Sequence, residues 1–370
     1  MAMINNLYYS VKPLIPRKIQ IYFRRILAQH KKRKHRNIWP IDKSAGTVPI
    51  GWSGWPENKK FALVLNHDVD TQKGHDSAYE LLKIEKSLGF KSTFSFVPER
   101  YRVSKELLKK IKEEGFEVSV HGLKHDGKLF KTRNIFEKRA RKINRYLKEW
   151  KSEGFTAPSM ICELEWIHDL NIKFSTCTFD TDPFEPVPTP SKTIFPFSVK
   201  NPKTGDTHLE MPYTLPQDHA LFIILQEINI TIWKEKLKWI AQKGGMALLN
   251  THPDYMAMNA YHCGNEEYPV SYYVDFLKHL SDEYQGQFWL TLPSEMAQKI
   301  DSCFLHPKNV KPVTVSQSQR QNSMLCKAKV GRQPLYTHCC DHANKQPVLA
   351  LNPKMANSKR NSTGRTSKPD

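Results

Sequence analysis

Between about residues 40 and 300 the apolar positions alternate between two periods. Short runs of apolar and aromatic residues recur as "FALVLN" (61–66), "STFSFV" (92–97), "FEVSV" (116–120) and "MALLN" (246–250). Each is the length of a strand and is followed by a stretch with helical spacing. Helices are expected near 75–88, over 104–115, over about 134–153 and over 232–244. In "SKELLKKIKEEG" (104–115), Leu107, Leu108 and Ile111 share one face. Ser104 stands at the N-cap and Gly115 supplies the stop. Shorter apolar pieces near 173–178, 193–199 and 220–225 read as further strands. Repeated strand–helix units predict an α/β fold, a parallel sheet or barrel with helices outside.

The two ends break this rhythm. Residues 1–39 form a basic leader in which "IQIYFRRILAQHKKRKHR" sets Ile19, Tyr22, Phe23 and Ile26 at helical spacing before a Lys/Arg run. This predicts a helix packed on the domain with a solvated basic end. The other reading is a peripheral anchor on an anionic membrane face. Residues 301–370 are polar, carry Pro, Ser and Thr, and read as a disordered basic tail. Within it, "HCCDH" (338–342) offers imidazoles, thiols and a carboxylate, but packed more closely than structural zinc ligands are.

Charge sharpens this division. The formal net charge of +19 resides in the ends: residues 1–37 hold 10 Lys+Arg and no acid, and 301–370 hold 12 against 3. Residues 38–300 carry 34 basic and 34 acidic side chains, so the domain is neutral. A basic groove for nucleic acid is not expected. No apolar run approaches the roughly 20 residues that span a bilayer, and the N-terminus has no signal-peptide h-region. The 7 cysteines show no CxxC spacing, which favours a reducing, cytoplasmic setting, with the leader at the inner membrane face on the anchor reading.

Chemistry-bearing residues cluster just beyond the strands. "FALVLN" runs into His67, Asp68 and Asp70; "FEVSV" into His121, with His125 four residues on; "MALLN" into His252 and Asp254. In parallel β/α folds the active site is built at that end. Two neutral imidazoles and one carboxylate fill three positions on a divalent metal such as Zn²⁺, Co²⁺, Ni²⁺ or Fe²⁺ and leave others open. A second carboxylate can take a proton from water, and a histidine opposite can protonate a leaving group. That set suits amide or ester hydrolysis.

With "NHDVD", "HGLKH" and "LLNTHPDY" in this order, the chain resembles the NodB-homology polysaccharide deacetylases over roughly 40–300. The resemblance implies a distorted (β/α) barrel and metal-dependent de-N-acetylation. By that match Asp68 would be the catalytic base, Asp70, His121 and His125 the metal ligands, with zinc the expected metal, and His252 the general acid. "TFDTDPFEP" and "TIFPF" resemble a subgroup found with surface-glycan biosynthesis, which implies an acetylated glycan or lipid-linked glycan as substrate. Thr156, in "FTAPSM", stands where the family carries an Arg that pairs with the catalytic Asp. A threonine cannot supply that charge, so Arg100 is a candidate to replace it from elsewhere. Thr156, Pro158, Trp166, Asp180, Asp182, Asp254 and Tyr255 are the expected substrate-side residues, and Glu185 lies on the same loop as Asp180 and Asp182. Two other readings stand beside this one: a glycan-binding barrel without activity, and a hydrolase of another linear amide or ureide.

Overall fold

The computed structural model describes residues 16–185, 190–259 and 263–300, all within the first of two compact units of the chain, residues 1–313. The expected tail 301–370, "HCCDH" included, lies outside the described residues, as does the start of the leader.

Eleven strands are present among the described residues: β1 (Phe61–Val69), β2 (Thr93–Phe96), β3 (Glu117–His121), β4 (Gly154–Thr156), β5 (Phe174–Ser175), β6 (Phe197–Lys200), β7 (Thr207–Glu210), β8 (Met246–Thr251), β9 (Met256–Ala257), β10 (Tyr268–Pro269) and β11 (Phe288–Leu290). The helices are α1 (Arg17–Lys34), α2 (Gln72–Ser87), α3 (Lys105–Glu113), α4 (Arg133–Trp150), α5 (Thr231–Lys243), α6 (Val270–Tyr284) and α7 (Pro293–Lys299). All nine residues of β1 are buried, as expected of a strand covered on both faces of a parallel sheet. One edge of β1 pairs with β8 through residues 62–67. The other edge pairs with β11 through 61–63 and with β2 through 66–69. From β2 the sheet continues β3–β4–β5–β7–β6, with only β6 antiparallel to its neighbour.

The sheet curls back on itself. Thr214 and Leu215, beyond β7, donate backbone N–H groups to the Leu248 carbonyl of β8 at 3.2 and 3.1 Å, and Met246 donates to the Ile194 carbonyl at 2.7 Å. The result is a distorted half-barrel with parallel strands delivering their C-terminal ends to one rim. Ser104 caps α3 by accepting the Leu107 N–H at 3.2 Å, and Gly244, at φ +69°, ends α5. Both ends follow the local chemistry of the sequence.

Three features depart from the sequence reading. "ALFIIL" is not a strand: His219–Ile224 form a π-helical turn, opened by Asp218, whose Oδ1 accepts the His219 N–H at 2.7 Å. A short apolar run buried on every side carries no period that separates strand from helix. Helix α1 forms as expected and packs on the domain, but through Ile21 and Ala28; Ile19, Tyr22, Phe23 and Ile26 point outward and are exposed. Asp180 does not face a substrate. Its Oδ2 lies 2.6 Å from Nζ of Lys236, and both side chains are almost completely buried. This ion pair pins the loop around Asp180 to α5.

A buried ion pair broken from one side leaves an uncompensated charge, so Lys236→Ala should cost about 3–5 kcal/mol. Urea denaturation checks this. The double variant Lys236→Met/Asp180→Asn should recover most of the loss, and a single-variant cost near zero would show that the pair does not hold the loop.

Candidate metal centre and active site

Strand alternation decides which members of "NHDVD" reach the barrel interior. Asn66, Asp68 and Asp70 fall on one face and His67 on the other. His67 is fully buried, with Nδ1 2.8 Å from the Thr251 hydroxyl and Nε2 3.0 Å from Glu85 Oε1. It is a packed structural histidine.

At the rim, β3 ends in His121. Gly122 (φ +60°) then turns the chain, and His125 itself adopts φ +51°. A positive φ is costly for a residue with a side chain, and such strain concentrates at functional sites. The turn brings both imidazoles to Asp70, whose Oδ1 is 3.3 Å from His121 Nε2 and 3.1 Å from His125 Nε2. Neither contact has hydrogen-bond geometry, so this buried oxygen has no hydrogen-bond partner among the described residues. One ligand atom from each of the three residues lies within 4.8 Å of the others. Ligand atoms about 3.0–3.5 Å apart suit a cation bound at about 2.0–2.2 Å from each. The residues therefore fit a divalent metal. Burial opposes ionisation of Asp70, yet His125 and His121 together hold its carboxyl well below the usual range. Burial likewise pulls the His121 imidazole down, and Asp68 and Asp70 outweigh it and raise it.

Asp254, expected on the substrate side, supports this turn. Its Oδ2 accepts the Asp70 N–H at 2.9 Å, and its Oδ1 accepts the Thr71 N–H at 2.8 Å and the Thr71 hydroxyl. Helix α2 crosses so close that a Cβ on Gly74 would lie 2.1 Å from Asp254 Oδ2.

Asp68 is held by neutral groups. Its Oδ1 accepts Nδ2 of Asn66 at 3.1 Å, and its Oδ2 accepts Nδ2 of Asn250 at 2.9 Å and the Tyr213 hydroxyl at 3.4 Å. Thr156 is buried one shell behind, 2.8 Å from the Thr176 hydroxyl and 3.3 Å from that of Ser95. Ser95 in turn donates to Asn66 Oδ1 at 3.1 Å. Thr156 is thus linked to Asp68 through Ser95 and Asn66. Arg100 is exposed and does not take the place of the expected arginine.

Across the rim, His252 Nδ1 lies 2.7 Å from Asp218 Oδ1. Asp218 Oδ2 accepts the His252 N–H at 2.8 Å and the Tyr268 hydroxyl at 3.0 Å. Burial disfavours the imidazolium, but Asp218 outweighs it and pushes the His252 pKa up to about 10. With Nδ1 so engaged, Nε2 is the atom left to exchange protons. Sequence reasoning missed Asp218, Asn66, Asn250 and Tyr213, because none has a spacing that marks it.

The remaining expected residues divide. Asp182 Oδ1 caps its own loop by accepting the Phe184 N–H at 2.8 Å. Glu185 does reach the site: Gln217 donates to it at 2.5 Å and accepts from Asn250 at 3.0 Å, linking Glu185 to Asp68. Burial and then Asp182 push the Glu185 pKa up to about 8. Tyr255 packs against His252, ring centroids 5.2 Å apart and planes inclined at 54°. Pro158 is a buttress: a Cβ on Gly122 would lie 2.5 Å from its ring. Trp166 packs on Phe130, Phe136 and Arg133. It belongs to the apolar contacts of α4, as a packed tryptophan would.

No protein-family model matches the chain, and no curated protein matches it. Solved structures do. A protein from Mycobacterium smegmatis assigned as a polysaccharide deacetylase superposes with a TM-score of 0.55 at 15% identity, covering 70% of this chain and 96% of that one. PuuE allantoinase superposes with a TM-score of 0.50 at 15% identity, covering 66% and 91%. The chain has the distorted (β/α) barrel fold of the NodB-homology, polysaccharide deacetylase type.

Groups that orient metal ligands from behind typically contribute 10–100-fold in metal affinity. Asp254→Ala should weaken zinc binding by about that factor, read by competition with a chromogenic chelator. Unchanged affinity would show that the Asp70 turn holds itself.

Proposed function

We propose that this chain is a metal-dependent hydrolase that removes acetyl groups from amino sugars of a glycan or lipid-linked glycan. The observation that carries the reading is the joint geometry: a three-residue ligand set, a clamped carboxylate beside it and an Asp-paired histidine across the rim. Asp70, His121 and His125 would hold the metal, for which zinc suits the donors best, with cobalt, nickel or iron as alternatives. A bound divalent cation would polarise the amide carbonyl and acidify water. Asp68, 3.7 Å from His121 Nδ1, takes the proton of the attacking water. Its two asparagine donors fix the rotamer without bringing a positive charge to it. His252 Nε2 gives its proton to the departing amine, so that the C–N bond breaks to acetate and free amine. Asp218 holds the imidazole by Nδ1 and favours its protonated form. Glu185, largely protonated at neutral pH, offers a hydrogen-bond donor to a sugar hydroxyl without adding negative charge beside Asp68.

The likeness to the allantoinase supports a second reading, hydrolysis of a small linear amide or ureide on the same machinery. A neutral clamp in place of an arginine also leaves room for a glycan-binding barrel without turnover. Acetate release from N-acetylated amino-sugar oligosaccharides, measured beside a panel of small amides and ureides, separates the three. Acetate from the oligosaccharides, lost in Asp68→Asn, is the expected result; turnover confined to the small amides, or none with metal loaded, would refute it.

The state of His252 fixes a pH signature. An acid whose pKa is raised stays protonated as pH rises and fails only as pH passes that raised value. The alkaline limb of kcat/KM should therefore lie well above the ordinary imidazole value of about 6.5. Asp218→Asn should move that limb down toward neutrality and lower the plateau, as a pH–rate profile would show. A limb that stays in place would remove Asp218 from the pair.

A further inference from the structure

We infer that α1 docks the protein on an anionic lipid bilayer, with the apolar face of the helix lying in the headgroup region. Nothing in this inference depends on the catalytic reading. A helix on a protein surface ordinarily turns its apolar stripe inward; α1 does the reverse. Ile19, Tyr22, Phe23, Ile26 and Leu27 lie at i, i+3, i+4, i+7 and i+8, on one face. They are 45, 61, 56, 49 and 63% exposed. They make up five of the nine large hydrophobic side chains that are exposed among the described residues. Contiguous exposed apolar surface of this kind marks an interaction site.

The opposite face is fixed to the barrel, so the stripe is not free to roll under. Arg25 donates from Nε to the Ile223 carbonyl at 2.9 Å and from Nη2 to the Asn265 carbonyl at 3.0 Å. Gln29 donates to the Leu225 carbonyl at 3.2 Å, and Lys32 pairs with Glu227. Ile21 and Ala28 fill the apolar part of this contact. A helix held by polar contacts on one side and offering two aromatic and three aliphatic side chains on the other is built to meet something apolar.

Charge selects the occupant. Residues 1–37 contain no Asp or Glu. Lys18, Lys31, Arg33, Lys34 and Arg36 are exposed around and beyond the stripe. An apolar stripe flanked by cations complements a bilayer with anionic headgroups, where each Lys or Arg near the surface adds to the attraction of the buried side chains. No helix among the described residues is long and apolar enough to cross a membrane, so contact of this kind is interfacial. The segments that α1 grips are the π-helical turn following Asp218 and, through Lys31 to the Pro183 carbonyl at 3.1 Å, the loop that carries Glu185. Docking would therefore set the lipid surface next to two segments of the site.

The test is co-sedimentation of the full chain with vesicles of phosphatidylcholine alone and of phosphatidylcholine mixed with phosphatidylglycerol. The expected result is binding to the mixed vesicles only, reduced about tenfold or more in Tyr22→Ser/Phe23→Ser/Ile26→Ser, a variant whose substitutions are all exposed and whose thermal melt should match the wild type. Three results would overturn the inference. The wild type fails to bind; or the variant binds as well as the wild type, leaving the basic residues alone responsible; or light scattering finds a wild-type dimer that the variant dissolves, making a second copy the occupant.

Discussion

One carboxylate sets the terms for the whole rim. Asp70 is buried, its Oδ1 has no hydrogen-bond partner among the described residues, and two imidazoles from a different strand stand at 3.1 and 3.3 Å from it. Burying an anion this way is unfavourable unless cationic partners compensate. The two imidazoles supply that compensation, and the surrounding chain fixes the arrangement. Asp254 grips the Asp70 backbone, Gly74 yields the space for it, and the left-handed backbone at Gly122 and His125 aims the second imidazole. Each of these would be an odd expense in a barrel that needed only to fold.

Asp68 and His252 are held by different kinds of partner. Asp68 sits in neutral amides and hydroxyls, with a chain running Thr176–Thr156–Ser95–Asn66 behind one oxygen and Asn250–Gln217–Glu185 behind the other. His252 sits against a charge, the fully buried Asp218. An imidazole against an anion keeps its proton, and Asp218 raises His252 in that way.

Much of this was legible in the sequence, and the failures have physical reasons. Strand-sized apolar runs located β1, β2, β3 and β8, because parallel strands buried on both faces read as continuous hydrophobic segments. The same rule misled at "ALFIIL", where burial on all sides hides the period of the π-helical turn. The rim residues His121, His125, Asp68, Asp70 and His252 announced themselves by standing at or just past the C-terminal ends of strands. Asp218 did not, because it reaches His252 from a turn 34 residues away. That Thr156 stands where the resembled family carries an arginine was visible, but what holds Asp68 was not: the asparagines that hold it come from β1 and β8, and only the three-dimensional register unites them. The direction in which α1 faces was likewise hidden, since beside Ile21 and Ala28 its contacts with the barrel are made by arginine, glutamine and lysine side chains that sequence patterns assign to solvent.

The most direct test of the central claim is the metal content of the purified full chain, by elemental analysis, for the wild type and His121→Ala. The account predicts about one zinc, cobalt, nickel or iron ion per wild-type chain, lost in the variant while the thermal melt still shows a folded barrel. A wild type that takes up no divalent metal even after reconstitution, or a variant that retains it, would contradict it.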